Sequence, residues 1–196
     1  MNSVSTFIFS SSAAVYGNKT SRCNERDIPK PQSPYATSKL EGERLCKEYA
    51  LAYKMNTASL RYFNVYGNRQ NPHGAYAGVV AKFTYNLLHE QPIVIYGDGT
   101  QRRDFIHVSE VTNANLLIGT KKALHGEVCN IATGRSITLL ELLNQLEEET
   151  NKKHVGLQFE PARPGDIVSS SANCKIYKTL AQNYNLSKKK LEHPQK

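Results

Sequence analysis

Tyr35 and Lys39 stand four residues apart in Ser33-Pro-Tyr-Ala-Thr-Ser-Lys39. On a helix that spacing puts both side chains on one face, so a phenol and an ammonium converge from a single rigid element. The chemistry open to such a pair is proton transfer. A tyrosine hydroxyl ordinarily ionises at about pH 10, and a neighbouring positive charge stabilises the phenolate and draws ionisation toward the working pH. Upstream lies Ser10-Ser11-Ser12-Ala13-Ala14-Val15-Tyr16-Gly17, whose Ser12 hydroxyl, if set opposite, would hydrogen-bond the same substrate oxygen. A Tyr and a Lys at this spacing also occur on ordinary amphipathic helices, so the elements around them must decide.

Thr6-Phe-Ile-Phe9 reads as a buried strand, followed by small residues, a Tyr16-Gly17 turn and a Pro-rich loop to about residue 33. A helix opens at Ser33-Pro34, runs amphipathically through Leu40, Leu45, Tyr49 and Tyr53, and spans 34–54. The pattern then predicts a strand at 57–63, a long loop at 64–75, a helix at 76–89 and short strands at 93–95 and 105–107. Ser109 is expected to cap a helix at 109–122 and Thr138 another to about 151, with a strand at 128–131 between them. An extended stretch at 155–160 and a weak helix at 173–182 follow. Strands alternating with helices argue for an α/β fold.

Further blocks follow the Tyr/Lys pair: Leu60-Arg-Tyr-Phe-Asn-Val-Tyr-Gly67, Tyr76-Ala-Gly-Val-Val80, Ile95-Tyr-Gly-Asp-Gly-Thr-Gln-Arg-Arg-Asp-Phe-Ile-His-Val108 and Ala162-Arg-Pro-Gly-Asp166. In these blocks and their order the chain resembles the extended short-chain dehydrogenase/reductases, the NAD-dependent sugar-nucleotide epimerase/dehydratase family. Within it the similarity is greatest to UDP-hexose 4-epimerases. The resemblance implies the C-terminal part of a Rossmann-like doubly wound parallel sheet plus a small α/β substrate-binding lobe. It divides the chain into a dinucleotide-domain remnant at 1–70 that carries the Tyr/Lys helix, a mostly substrate-binding stretch at 71–182 with some segments returning to the Rossmann sheet, and a basic tail at 183–196. The family's Gly-rich turn, whose backbone holds the cofactor pyrophosphate at a helix N-terminus, has no counterpart here. The chain is therefore expected to be a fragment lacking on the order of a hundred residues of the dinucleotide-binding half.

Residue roles follow from the same resemblance. Tyr35 matches the family's base, Lys39 the lysine that binds the nicotinamide ribose and tunes the tyrosine, and Ser12 the hydroxyl that orients the sugar proton. Ser10 and Tyr62 join Tyr35 and Lys39 on the cofactor side. On the substrate side, Ser12 is joined by Asn64 near the phosphates, Gly78 and Val79 presenting backbone to the uracil, Arg103 and Arg163 clamping the pyrophosphate, and Asp166 accepting from the ribose. Arg102 is the competing register for Arg103, and His107 reads as structural. The implied reaction is a hydride loan to NAD, giving a 4-keto sugar that turns over and takes the hydride back on its other face. A homodimer formed through the Tyr/Lys helix is implied for the intact protein.

Alternatives stay open. A 4,6-dehydratase needs an additional acid and base, and Ala13-Ala14 can transfer no proton, which favours epimerisation. UDP-glucuronate 4-epimerases share the small-residue pattern, and Asn71-Pro-His-Gly-Ala-Tyr-Ala-Gly78 leans weakly toward N-acetylated sugars. A non-catalytic nucleotide-sugar binding remnant is the competing reading outside enzymology. The net charge of +8 raises the question of nucleic acid. Residues 151–196 hold nine Lys or Arg against three Asp or Glu, without an aromatic-interleaved basic stripe, so a solvated tail accounts for the excess. No stretch has the ~20 apolar residues that span a bilayer, and no secretion signal opens the chain. Cys23, Cys46, Cys129 and Cys174 lack metal-ligand spacing, and reduced thiols in a cytoplasmic protein are expected.

Overall fold

The computed structural model describes residues 4–74, 77–122, 124–162, 167 and 169–183. Its first half contains β1 (Thr6–Ser12), a 3-10 turn (Ala13–Tyr16), α1 (Pro34–Tyr53), β2 (Asn56–Tyr62), β3 (Asn64–Tyr66), α2 (Val79–Leu88) and β4 (Ile93–Tyr96). There follow β5 (Arg102–Arg103), β6 (Phe105–His107), α3 (Val108–Lys121), β7 (Glu127–Ile131), β8 (Ile137–Thr138), α4 (Leu139–Thr150), β9 (Leu157–Glu160) and α5 (Lys175–Asn183). The fold is α/β, as the alternation predicts.

A parallel sheet of order β1-β2-β7 carries the Tyr/Lys helix. Successive strand residues point to opposite faces, and β1 uses both. Ile8 packs into a core built from Ala58 and Leu60 of β2, Cys129 and Ile131 of β7, and Val111, Ala114 and Ile118 of α3. Phe9 faces the other way, against Gly42 of α1. Helices thus cover both faces, which is the doubly wound arrangement. A second core joins Phe83 and Leu87 of α2, Ile93 and Ile95 of β4, and Leu139, Leu142, Leu143 and Leu146 of α4. There β4 and β9 pair in parallel.

Local signals fix the helix that matters most. The Ser33 side chain accepts from the Ala36 N–H at 3.1 Å, and Pro34 occupies the first turn, where its missing N–H costs nothing. The helix ends at Lys54 in the left-handed region, φ 55°. Thr138 and Glu141 form the reciprocal capping box that starts α4.

Two expectations need correction, and one short strand pair has no counterpart among them. The stretch 64–75 is not all loop, because Asn64–Tyr66 forms β3 and pairs in parallel with β6, a long-range partner that local pattern does not reveal. The α3 cap is His107 rather than Ser109: the imidazole Nδ1 accepts from the Ser109 N–H at 3.3 Å, so the helix starts one residue earlier. The short antiparallel pair β5–β8 was also unanticipated, two residues being too few to leave a periodicity.

Candidate active site

β1 delivers the serine run to the N-terminal end of α1. Lys39 donates from Nζ to the Ser10 carbonyl at 3.0 Å. The same ammonium lies 5.6 Å from the Tyr35 ring centroid and 5.3 Å from that of Phe9. Tyr35 is 56% exposed, so its phenol opens to solvent and is free to meet a ligand. Ser10 Oγ meets the Tyr62 hydroxyl at 3.3 Å, and that hydroxyl donates to Asn115 Oδ1 at 3.0 Å. Ser12 Oγ accepts from the Ala14 N–H at 3.2 Å, capping the 3-10 turn. A hydroxyl that accepts from backbone still has its own O–H to give. Ser10, Tyr35, Lys39 and Tyr62 are therefore joined by contact, with Ser12 two residues beyond the lysine-bound carbonyl.

Asn64 lies two residues past Tyr62 and belongs to a second group. Its Nδ2 donates to the Asp104 carbonyl at 2.9 Å and to Ser170 Oγ at 3.3 Å. Both amide donors are thus spent within the protein, and the carbonyl oxygen is the part of the side chain left to a ligand. Asp104, between Arg103 and Phe105, is fully buried. Its Oδ1 accepts from the N–H and Oγ1 of Thr133, at 2.9 and 2.6 Å, and Oδ2 from the Gly134 N–H at 2.9 Å. Burial pushes this carboxyl above its usual range, although those hydrogen bonds pull against it. Arg103 is half-buried on β5, with Nη1 on the Arg102 carbonyl at 3.0 Å. Arg102 points elsewhere, its Nη2 on the Ser136 carbonyl at 2.6 Å.

Gly78 caps α2 without a side chain, and Val79 begins that helix. A Cβ on Gly78 would lie 3.0 Å from Gln70 Nε2. Gln70 Oε1 is buried and has no hydrogen-bond partner among the described residues, an acceptor beside the Gly78 backbone that the sequence pattern does not mark. Arg163 and Asp166 lie outside the described residues.

A cavity of about 310 Å³ is lined by Arg22, Gly134, Asn173, Lys178 and their neighbours, and by none of the candidate residues. Proximity of chemical groups, rather than volume, locates the candidate site. An ammonium and a phenol on one helical face, beside the exposed Ser10, fit the diol of a nicotinamide ribose. A glycine-rich turn from strand to helix, suited to a pyrophosphate, is not found among the described residues. No group of three or more His, Cys, Asp or Glu able to hold a metal is found among them either.

A doubly wound sheet ending in a serine run, with Tyr and Lys one turn apart on the adjoining helix, is the framework of a nicotinamide-dependent short-chain dehydrogenase/reductase. Residues 1–132 match the NAD dependent epimerase/dehydratase family, and the chain belongs to it. It is 34% identical over 179 residues to an uncharacterized UDP-glucose epimerase of Bacillus subtilis, covering 91% of this chain and 55% of the relative. The UDP-N-acetylglucosamine 4-epimerase of Methanobrevibacter ruminantium, solved with UDP-N-acetylmuramic acid, superposes with a TM-score of 0.85 at 36% identity, over 90% of this chain and 56% of that one. The UDP-glucose 4-epimerase of Thermus thermophilus, solved with NAD, gives 0.81 at 36% identity, over 90% and 58%. The dTDP-D-glucose 4,6-dehydratase of Bos taurus is also similar, 36% identical over 76% of this chain and 42% of its own length. The chain spans about half the length of the curated relatives it matches.

Proposed function

We propose that this chain carries the proton-handling and substrate-binding part of an NAD-dependent UDP-hexose 4-epimerase acting in the cytoplasm. The observation that carries the reading is the contact set at the end of β1: Lys39 on the Ser10 carbonyl, and beside the Tyr35 ring, with Ser12 two residues on. When bound, NAD supplies the acceptor and later the donor of the sugar's C4 hydride. Tyr35 takes the proton of the 4-hydroxyl and returns it after the sugar has turned. Lys39 stabilises the phenolate and donates to the ribose hydroxyls, while Ser12 gives its hydrogen to the C4 oxygen and holds it in line. Ser10 and Tyr62 border the cofactor side. Asn64 Oδ1, the Gly78 and Val79 backbone, Arg103, Arg163 and Asp166 hold the nucleotide, and the two guanidinium groups suit a diphosphate because the fork is planar and permanently charged.

Two hydrophobic cores support a dinucleotide-domain part at 1–70 and a mostly substrate-binding part at 71–182 with some segments returning to the first part's sheet: one joins Ala58 and Leu60 to the returning Val111, Ala114, Cys129 and Ile131, and the other lies between α2 and α4. Dehydration is disfavoured by Ala13 and Ala14, which begin the turn after Ser12 and offer no acid or base. Titration of the purified 196-residue chain with UDP-N-acetylglucosamine, with and without NAD, tests the reading when coupled to an assay for UDP-N-acetylgalactosamine. Binding of the UDP-sugar is the expected result, and turnover, where NAD is held as well, supports the epimerase reading outright. Binding without turnover favours the nucleotide-sugar binding module instead, and no binding of any UDP-hexose sinks both.

A further inference from the structure

Behind the serine run lies a buried ion pair that the proposed chemistry does not use. Glu43 of α1 takes Arg61 of β2 in a fork, with Nε to Oε1 at 2.8 Å and Nη2 to Oε2 at 2.6 Å. Their side chains are 5% and 3% exposed. Taking two charges out of water costs so much that a buried pair seldom stabilises more than apolar residues of the same volume would. Its contribution here is better sought in geometry.

Glu43 Oε1 also accepts from Ser11 Oγ at 2.5 Å. Tyr35, Lys39 and Glu43 follow one another at four-residue spacing and form one stripe on α1. That stripe grips two successive residues of β1: Lys39 the carbonyl of Ser10, and Glu43 the hydroxyl of Ser11. The guanidinium that steadies Glu43 is itself hemmed in. It lies 4.6 Å over the Tyr16 ring, reaches the Glu25 carbonyl at 3.5 Å, and the Tyr16 hydroxyl is tied to Asn130 Oδ1 at 2.7 Å. The strand end cannot slide along the helix without breaking the Ser11 bond to a carboxylate that the fork holds in place.

We infer that Glu43, held by Arg61, is a positioning residue: through Ser11 it fixes the register of the serine run against the Tyr35–Lys39 face. This rests on the reading of Tyr35 and Lys39 as the proton-handling pair. Glu43 touches neither sugar nor cofactor and acts only through the strand it holds.

The experiment is heteronuclear NMR on the 196-residue chain, reading the scalar coupling across the hydrogen bond between Lys39 Nζ and the Ser10 carbonyl carbon. The coupling is expected in the parent chain and is expected to fall by at least half in Ser11→Ala and in Glu43→Gln. The backbone amide spectrum away from the site stays unchanged, and Ser11→Thr, which keeps the hydroxyl, restores the coupling. A packing role alone would lower the melting temperature and leave the Lys39 coupling intact, and that result overturns the proposal. Should Glu43→Gln fail to fold, Ser11→Ala still decides, since it removes one hydroxyl and no charge. Failure of the underlying reading looks different: the coupling responds as expected, but Tyr35→Phe turns over UDP-sugar at the parent rate, and the clamp then has nothing to position.

Discussion

In the proposed reaction Tyr35 would bear the heaviest chemical demand, and its surroundings make the demand testable. Its ring is exposed and packs against no core, so Tyr35→Phe should leave folding and UDP-sugar affinity close to the parent while abolishing turnover. Isothermal titration beside a coupled epimerase assay separates the two, and retained turnover refutes the base assignment. Arg163→Ala should act the opposite way, weakening UDP-sugar binding by about 1.5 to 3 kcal/mol, the range for hydrogen bonds to charged groups. An unchanged dissociation constant removes it from the clamp. Asp104 ties the strand of Arg103 to the loop at Thr133 and Gly134. Its carboxylate only accepts, from Thr133 and Gly134, so Asp104→Asn would turn an NH2 toward a backbone N–H and leave a buried donor unmatched. A loss of about 1 to 3 kcal/mol in urea unfolding is expected, and a neutral result would mean that the loop reorients at no cost.

Among elements, the fit of β1 against α1 decides whether the site exists. Gly42→Ala in mid-helix would normally add stability, by about 0.5 to 1 kcal/mol, because glycine is the poorer helix former. Here the added Cβ would run into the Phe9 ring, and overpacking of that kind costs about 1 to 3 kcal/mol. The second effect is larger, so denaturant unfolding should show net destabilisation. The link from α4 to β9 carries a pH signature. Glu147 is buried and accepts from Lys153 Nζ at 2.7 Å, His154 N at 3.0 Å and His154 Nδ1 at 2.5 Å. Burial alone would raise its carboxyl, but the Lys153 and His154 bonds outweigh it and hold the pKa at about 2, against 4.5 ordinarily. The unfolded chain therefore binds the extra proton between these values, and stability rises with pH. Glu147's contribution is full above about pH 5 and fades as pH falls toward 2. Glu147→Gln should be less stable near neutrality, with the gap to the parent already narrower at pH 3 than at pH 7 in urea titrations. The sequence made α1, β2, β7 and α4 legible because caps and apolar spacing are local. It could not announce β3, β5 or β8, whose two or three residues become strands only through distant partners. For the same reason Tyr35 and Lys39 stand out by spacing, whereas Ser12 is singled out within its run only by the family resemblance. No local pattern sets Glu43 apart from the other charges of the helix; only the convergence of Ser11 and Arg61 on it in the fold does.

At the scale of the whole molecule, α1 presents an outer face that the described fold does not cover. Leu45, Tyr49 and Tyr53 recur at four-residue spacing and are 55%, 51% and 72% exposed, with the two tyrosine rings 5.1 Å apart. Large apolar side chains aligned in a stripe on one helix favour a partner surface of the same kind. A second copy meets that need with two-fold symmetry, because the same stripe then packs on itself. We therefore expect a homodimer through α1, which would also couple the Tyr35–Lys39 end of the helix to a rigid support. Removing one such side chain from the contact is worth about 1.5 to 3 kcal/mol, so Tyr49→Lys with Tyr53→Lys should weaken self-association by about a hundredfold or more. Light scattering over a concentration series would then find the parent chain at twice its 21.9 kDa mass and the double variant at that mass. A parent that stays monomeric at high concentration would show that the stripe does not mediate self-association, and α1 would have to hold the site by its contacts with β1 and β2 alone.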